Sequence, residues 1–384
     1  MRELYVFQFS DHGIPSQYTS SLMRTTFLFL LIFSVFSCKS PPLPGSAEEF
    51  IKGVYGNPGT LLTAGFRFDS LGMNAVFVRS GSLNKEFYET SKKQGVKVFV
   101  EFPTLNGKEY LVDHPDAWPI NEKGENAPPA DWFMGICPTH PGFKEYRSDQ
   151  LKEILKEYAV DGIFLDYVHW HAQFETPNPI LPETCFCDRC TSAFAAAIDT
   201  LIPGNTIPQK ADWILKNADP EWRKWRVGVL NTWVEDMGAI LKESQPEAKL
   251  GVFHCAWYPS DYDSALYRTM GLDPVALAER ADVLAPMLFH KMKSRPTSWV
   301  GEYVAWLGKT IDVEKKGKTQ IWPIVQSHNN PGIVSPEEFR EVMLEGSKAP
   351  ASGIMMFSDQ SLIEDLKKLE VMKELYSKGR PSIR

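Results

Sequence analysis

The segment DGIFLDYVHWH, residues 161–171, joins an apolar run to a cluster of reactive side chains. Its apolar half predicts a buried strand, and Asp166 follows that strand directly, among aromatic and imidazole groups. A partly desolvated carboxylate at this position can attack an anomeric carbon or stabilise an oxocarbenium-like transition state. The alternatives are a loop-capping role or an ion pair with Arg79. Asp161 opens the same strand at its other end, so we interpret it as a turn residue.

If Asp166 acts on a glycosidic bond in this way, the reaction needs a second carboxyl group as its general acid. Three positions compete for that role: Glu101 ends the third predicted strand, Asp261 follows the fifth, and Asp359 ends the eighth. Each can equally bind a hydroxyl group or cap a helix. Glu101 is favoured because it directly interrupts a buried run, whereas Asp261 lies in a turn-like YPSDYD segment.

Polar and aromatic side chains gather at one end of the predicted strands, whereas the other ends carry mostly Gly, Asp or Lys at turns. This asymmetry predicts a pocket at one face. The residues expected to bind substrate there are Tyr55, Arg79, Tyr167, His169, Trp170, His254, Trp257, His290, Trp322 and His328. For each tryptophan, core packing is the competing interpretation.

The histidines at 169, 171, 254, 290 and 328 are potential metal ligands, since imidazole is a common one. No H-E-x-x-H motif accompanies them. We therefore favour hydrogen bonding to substrate hydroxyls or loop carbonyls, and a catalytic metal is the alternative.

Three cysteines form a C-x-C-x-x-C cluster, Cys185, Cys187 and Cys190, and Cys137 lies upstream in GICPTHPG. Four thiolates suit a tetrahedral structural zinc ion. A disulfide involving Cys137 is the alternative in an exported protein, but it leaves odd thiols, so a metal is favoured. Either the metal ion or the disulfide would hold a long βα loop in place. Cys255, inside the fifth strand, is expected to be a buried free thiol.

Eight short apolar runs alternate with helical patterns along the chain. The predicted strands are 50–55, 74–79, 96–102, 161–168, 249–257, 282–290, 319–327 and 353–359, and the clearest helices are 143–158, 221–244, 335–346 and 360–377. This alternation predicts an α/β fold, a (β/α)8 TIM barrel over residues 49–378 with long βα loops. The rival is a doubly wound sheet, but the first strand is followed by no G-x-G-x-x-G loop, which also argues against an organic dinucleotide cofactor and an oxidoreductase.

The chain has 384 residues, of which 43% are hydrophobic, and a net charge of −7, values typical of a globular protein. No long basic run occurs, which argues against nucleic acid as the main partner.

An apolar run after Met23 and Arg24 has the length of a signal-peptide core and ends just before Cys38. A small residue directly before Cys resembles a bacterial lipobox. We therefore expect residues 1–37 to be an upstream extension plus signal peptide, Cys38 to be lipidated, and 38–48 to be a linker. The protein would be exported and anchored to a bacterial membrane, periplasmic or at the cell surface. An ordinary secretory signal or an unprocessed anchor is the alternative.

Four segments in order, GICPTHPGFKEY, DGIFLDYVHW, CFCDRC and VLAPMLFHKM, resemble bacterial lipoprotein-like glycosyl hydrolases predicted to be TIM barrels. The four cysteines are similar to the zinc-binding cysteines of family-42 β-galactosidases. Those enzymes carry Asn-Glu after strand 4 and a Glu nucleophile after strand 7, whereas this chain has Leu165-Asp166 and Gln326-Ser327-His328. The Asp after strand 4 is instead similar to the nucleophile of α-amylase-like, α-galactosidase-like and α-fucosidase-like barrels.

The residues and the resemblance together predict a glycoside hydrolase acting on oligo- or polysaccharide. Asp166 would be the nucleophile or stabilising base, and Glu101, Asp261 or Asp359 the acid. Two alternatives remain: a carbohydrate-binding barrel without catalysis, and a metal-dependent hydrolase or deacetylase.

Overall fold

The computed structural model describes residues 49–130, 132–316 and 318–382. Residues 1–48, for which an upstream extension, a signal peptide, a lipidated Cys38 and a linker are predicted, lie outside the described residues, so these remain predictions. Within the described ranges all strands pair in parallel. They are β1 (Ile51–Gly56), β2 (Ala75–Arg79), β3 (Lys97–Pro103), β4 (Gly162–Asp166), β5 (Lys249–Cys255), β6 (Val283–Leu288), β7 (Gln320–Ile321), β8 (Ile324–Gln326) and β9 (Gly353–Phe357).

The strands close into an eight-position barrel, which confirms the predicted (β/α)8 fold. From β1 to β6 each strand pairs with the next, β7 and β8 together take the seventh position, and β9 pairs with both β8 and β1. The predicted seventh strand, 319–327, is divided into β7 and β8, which both pair with β6. Pro323 lies between the two pieces, and because proline has no backbone N–H it interrupts the ladder there.

Helices connect the strands around the outside. They are α1 (Gly59–Thr63), α2 (Lys85–Lys93), α3 (Tyr110–Asp113), α4 (Pro141–Glu157), α5 (Asp188–Ala197), α6 (Ile207–Asn217), α7 (Asp219–Ser244), α8 (Ala265–Arg268), α9 (Pro274–Ala278), α10 (Ser298–Thr310), α11 (Val313–Lys316), α12 (Pro336–Gly346), α13 (Asp359–Glu364) and α14 (Leu366–Ser377). No described helix is both long and apolar enough to cross a membrane.

The predicted helices 143–158, 221–244 and 335–346 are present as α4, α7 and α12. Ser335 begins α12 as the predicted N-cap, in a reciprocal capping box with Glu338. The predicted helix 360–377 is split into α13 and α14, because the Asp365 side chain accepts a hydrogen bond from Lys367 N and starts a new helix.

Aromatic rings fill the barrel interior below the C-terminal strand ends. Phe77, Phe99, Phe164 and Trp322 form one layer, with ring centroids 4.9–6.2 Å apart. Gly251 leaves room for this layer, since a Cβ there would overlap the Phe164 ring. Trp322, a predicted sugar-stacking residue, is instead buried in this layer, and its indole N–H donates to Ser352 Oγ at 3.1 Å.

Two long loops cover the C-terminal end of the barrel: the β3–α4 connection, residues 104–140, and the β4–α5 connection, residues 167–187. His171 joins them, because its Nδ1 accepts from Gly135 N at 3.1 Å while its Nε2 donates to Pro128 O at 2.7 Å. The Phe133 ring also stacks on Tyr167, with centroids 4.8 Å apart. The two loops are therefore held to each other as well as to the barrel.

The aromatic layer predicts a strong stability effect. Trp322→Ala removes a fully buried ring from the barrel centre and should lower the free energy of unfolding by about 3–5 kcal/mol, measured by chemical denaturation. Leu201→Ala is the control, because Leu201 is 91% exposed and its loss should change that free energy by less than about 0.5 kcal/mol. Equal losses in the two variants would contradict the role given to the aromatic layer.

Candidate active site

A cavity of about 370 Å³ opens among the C-terminal ends of the strands. Its polar wall contains Tyr55 from β1, Arg79 from β2, Asp166 from β4, and Tyr167, Glu175 and His328 from the following loops. Its apolar wall includes Met287 and the rings of Phe289 and Phe357. The cavity thus lies where parallel barrels place their reactive groups, with several titratable side chains facing an otherwise apolar space.

Asp166 is the last residue of β4 and only 4% exposed, as expected for a carboxylate that follows a buried run. Its Oδ1 accepts a hydrogen bond from Tyr167 N at 2.8 Å, and its Oδ2 accepts one from the Tyr55 hydroxyl at 3.3 Å. Burial raises the pKa of Asp166 well above its usual value, and the charges of Glu101 and Glu175 raise it further. The two hydrogen bonds act in the opposite direction by favouring the charged carboxylate.

Tyr167 has a backbone φ of 55°, in the left-handed region that residues with side chains seldom adopt. This turn directs its N–H to the carboxylate of the preceding residue and its ring into the cavity. The strained position coincides with the end of β4, where a functional constraint can maintain it.

Glu175 is a second carboxylate in the cavity wall, which the sequence analysis did not select. The Trp132 indole N–H donates to its Oε2 at 3.4 Å. Burial raises the pKa of Glu175, whereas Trp132, Lys293 and Arg79 lower it. Glu175 lies in the loop segment HAQFETPNP, away from any strand end, and its only signal in the sequence is a carboxylate within an aromatic-rich loop.

Lys293 fixes the chain next to Glu175. Its ammonium donates to the carbonyl of Phe174 and lies 5.1 Å from the centroid of the Trp257 ring. Burial lowers the pKa of Lys293, and the negative charges of neighbouring groups, Glu175 among them, raise it. A cation is therefore held beside the Glu175 carboxylate.

Glu101, the favoured acid of the sequence analysis, is buried but does not belong to the cavity wall. It is in register with Arg79 on the neighbouring strand. Burial raises the pKa of Glu101 to about 7, although Arg79 and Arg147 lower it. Its charge acts on Asp166 electrostatically and raises the pKa of that carboxyl group.

The structure does not bring Asp261 and Asp359 to this cavity. Asp261 accepts from Tyr258 N at 3.0 Å and pairs with Arg295 at 3.0 Å, which makes it a turn residue. Asp359 accepts from Asn57 N at 2.8 Å and from the Thr60 hydroxyl, so it holds the β1–α1 loop.

Of the predicted substrate-binding histidines, only His328 lines the cavity. Burial lowers the pKa of His169, His254 and His328 to about 4, so their rings are neutral at neutral pH. His169 and His254 turn Nδ1 toward backbone carbonyls, and His290 Nε2 lies 3.2 Å from Glu338. In the described ranges, no three of these rings meet as metal ligands, so their positions give no support to a histidine metal centre.

Two further predicted sugar-stacking residues, Trp170 and Trp257, are buried outside this cavity. The Trp170 indole donates to Arg226 O at 3.1 Å, beneath the Arg226 guanidinium. Trp257 packs beneath Lys293 and Tyr262. The exposed ring at the cavity edge is instead Trp132, 46% exposed, from the β3–α4 loop.

The four predicted metal-ligand cysteines converge. Their Sγ atoms all lie within 4.8 Å of one another, with Cys137 3.4 Å from Cys190 and 3.7 Å from Cys187. A tetrahedral metal with metal–sulfur bonds of about 2.3 Å separates its sulfur ligands by about 3.8 Å, close to these distances. All four thiols are free, so the cluster can hold a metal ion.

No protein-family model and no curated protein matches the chain. Several solved structures do. The PgaB (BpsB) glycoside hydrolase domain from Bordetella bronchiseptica aligns with a TM-score of 0.62 at 14% identity, over 85% of this chain and 93% of that one. A β-galactosidase from Bacillus circulans sp. alkalophilus aligns with a TM-score of 0.65 at 13% identity, over 86% of this chain and 56% of that one.

The α-L-fucosidase isoenzyme 2 from Paenibacillus thiaminolyticus is a third similar structure, with a TM-score of 0.53 at 11% identity over 86% of this chain and 49% of that one. This chain therefore spans about half the length of the β-galactosidase and the fucosidase. At such low identities the similarity concerns the fold, and it shows a (β/α)8 TIM barrel of the kind found in glycoside hydrolases.

Proposed function

We propose that the protein is a glycoside hydrolase acting on oligo- or polysaccharides, with Asp166 as nucleophile or charge stabiliser and Glu175 as general acid. The observation that carries this proposal is that two carboxyl groups with raised pKa values, the buried Asp166 and the half-buried Glu175, line one cavity at the C-terminal face of the barrel. The glycoside hydrolases among the structural neighbours support it.

Asp166 is suited to the negatively charged role. Its two oxygens already accept hydrogen bonds from Tyr55 and Tyr167, which fix the carboxylate and stabilise its ionised form. As the glycosidic bond breaks, positive charge develops at the anomeric carbon, and the carboxylate stabilises this charge or bonds to that carbon.

Glu175 is suited to the protonated role. It receives only a long hydrogen bond from Trp132, and burial favours its neutral form. The proton passes from Glu175 to the glycosidic oxygen, which leaves with the bonding electron pair as a hydroxyl group. Glu175 then takes a proton from the water that attacks the anomeric carbon, and both carboxyl groups return to their starting states.

We further propose that the cysteine cluster binds structural zinc. Cys137 lies near the end of the β3–α4 loop, which carries Trp132. Cys185 and Cys187 lie at the end of the β4–α5 loop, which carries Glu175, and Cys190 lies in the first turn of α5. Four thiolates form a closed tetrahedral set with no position for substrate. Their role would be to tie together the two loops that form the cavity wall.

Neutralising either carboxylate tests the assignment. Asp166→Asn and Glu175→Gln should each lower kcat/KM on the best substrate from a panel of defined polysaccharides by about 10²–10⁴-fold. Asp261→Asn is the control and should keep activity within about tenfold of the wild type. If glycans bind the wild-type protein but are never hydrolysed, the carbohydrate-binding alternative replaces the enzyme. If Glu101→Gln abolishes activity and Glu175→Gln does not, the acid is Glu101.

The pH profile tests the role of Glu175 separately. The alkaline limb of kcat/KM should report loss of its proton, and Lys293 lowers its pKa. Lys293→Met removes that cation, so the pKa of Glu175 rises and the alkaline limb moves to higher pH. Lys291→Met is the matched control, since Lys291 pairs with Glu338 at 2.8 Å, and it should leave the limb in place. A limb that stays fixed or moves to lower pH in Lys293→Met contradicts this assignment.

The zinc proposal predicts about one zinc ion per chain by elemental analysis. Cys187→Ser should lose the ion and make residues 104–140 and 167–187 more sensitive to limited proteolysis, because the two loops are no longer tied together. Cys255→Ala is the control, since Cys255 is a buried thiol outside the cluster and its loss should leave the zinc content unchanged. Purified protein without zinc but with full protease resistance would contradict the proposal.

A further inference from the structure

A groove of about 600 Å³ lies beside the catalytic cavity and is larger than the cavity itself, which is about 370 Å³. One side is the turn after β2, residues 80–83, and the other is helix α4. Pro103 at the end of β3 and residues 106–110 after it form part of the groove wall. None of the proposed catalytic steps uses this groove.

Three features place the groove next to the reacting groups. Arg79 lines the cavity and the next residue, Ser80, lines the groove. Pro103, in the groove wall, is in register with Asp166. Trp132 lines both spaces and presents its exposed ring between them. Trp132 therefore lies at the boundary between the cavity and the groove.

The groove is elongated. Its wall follows α4 from Tyr146 to the residue just after the helix, Tyr158. At 1.5 Å rise per residue this stretch covers about 18 Å. A space of this length next to a smaller cavity fits a linear chain better than a compact molecule.

The lining alternates aromatic rings with hydrogen-bonding groups. Tyr110, Tyr146 and Tyr158 supply rings, and Asn106 and Gln150 supply amides. Such a surface suits a ligand that has apolar C–H faces and hydroxyl groups together, because tyrosine offers an apolar body and a polar tip.

Arg147 lines the groove and holds two neighbouring wall residues by hydrogen bonds. Its guanidinium donates to Asn106 O and, at 2.6 Å, to Gln150 Oε1. Its Nε is buried and has no hydrogen-bond partner in the described structure. The positive and negative charges of the groove wall nearly balance. Three acidic side chains and two basic ones line it: Glu109, Glu153, Glu157, Lys108 and Arg147. This charge distribution does not favour a polyanion.

We propose that this groove binds the continuation of a sugar chain whose scissile bond lies at Asp166. The inference rests on the proposed glycosidase function and specifies its substrate class. The preferred substrate is a linear, uncharged oligo- or polysaccharide that extends past Trp132 along α4, and short glycosides that fill only the catalytic cavity are weak substrates.

Gly81 offers a way to block the groove without disturbing the core. It lines the groove, and a Cβ built on it meets nothing within 4 Å. Gly81→Trp therefore adds a large side chain to the groove alone. Gly228→Trp is the matched control, because Gly228 lies on the exposed face of α7 and a Cβ there also meets nothing within 4 Å.

The experiment measures binding and hydrolysis of length series of galacto-, gluco- and N-acetylglucosamine oligosaccharides, from two to about eight units. Binding is measured by calorimetry with Asp166→Asn alone and with Asp166→Asn combined with either tryptophan substitution. In the series that the protein recognises, affinity should rise at least about tenfold from the shortest to the longest member. Gly81→Trp should remove this rise, and Gly228→Trp should preserve it.

The outcomes separate the two proposals. Hydrolysis of these sugars with the same affinity at every length overturns the groove assignment and leaves the glycosidase function standing. A rise with length that Gly81→Trp does not reduce also overturns the groove assignment. If the protein neither binds nor hydrolyses any series, the proposed function fails and the groove assignment fails with it.

Discussion

The burial of negative charge at the end of β4 is the constraint on which the rest of the site depends. Asp166 lies above a layer of buried aromatic rings, and the charges of Glu101 and Glu175 both act on its carboxyl group. Three ionised carboxylates in so apolar a space would repel one another strongly. Burial therefore favours the protonated forms of these carboxyl groups, and it raises the pKa of Glu101 to about 7. The positive charges of Arg79 and Arg147 lower the pKa of Glu101 and so limit its rise.

The covering loops complete the site because the barrel alone supplies only part of it. Asp166, Tyr55 and Arg79 come from strands, but Glu175 and Trp132 come from the two long loops. Loop residues have few neighbours to hold them, so their positions depend on added contacts. Here those contacts are the His171 hydrogen bonds, the Phe133–Tyr167 stack and the sulfur cluster.

The sequence predicts the barrel well because each strand is a short apolar run bounded by turns, and that pattern depends only on local periodicity. It also predicts that Asp166 ends a buried strand and that the four cysteines, whose spacing is specific, lie together. The break at Pro323 and the restart of the helix at Asp365 are local details within correctly located elements.

The sequence does not predict which second carboxylate lines the cavity with Asp166, since nearness to a strand end in the chain does not give the direction of a side chain. Asp359 follows β9 closely, yet its carboxylate is taken by the N–H of Asn57. Glu175 is nine residues beyond Asp166 in a loop whose path is set by tertiary contacts. For the same reason Trp170 and Trp322 are buried while Trp132 is exposed, because hydrophobic composition alone does not separate core rings from surface rings.

The contacts between the two covering loops have a consequence for how such a barrel can evolve. The loops are fastened to each other at His171 and at the cysteines, so the segments between these points can change in sequence without altering any strand. Trp132 and Glu175 both lie in such segments. Substitutions around Trp132 and Glu175 can therefore reshape the cavity wall while the strands and Asp166 stay unchanged, so these two loops can vary without rebuilding the core of the barrel.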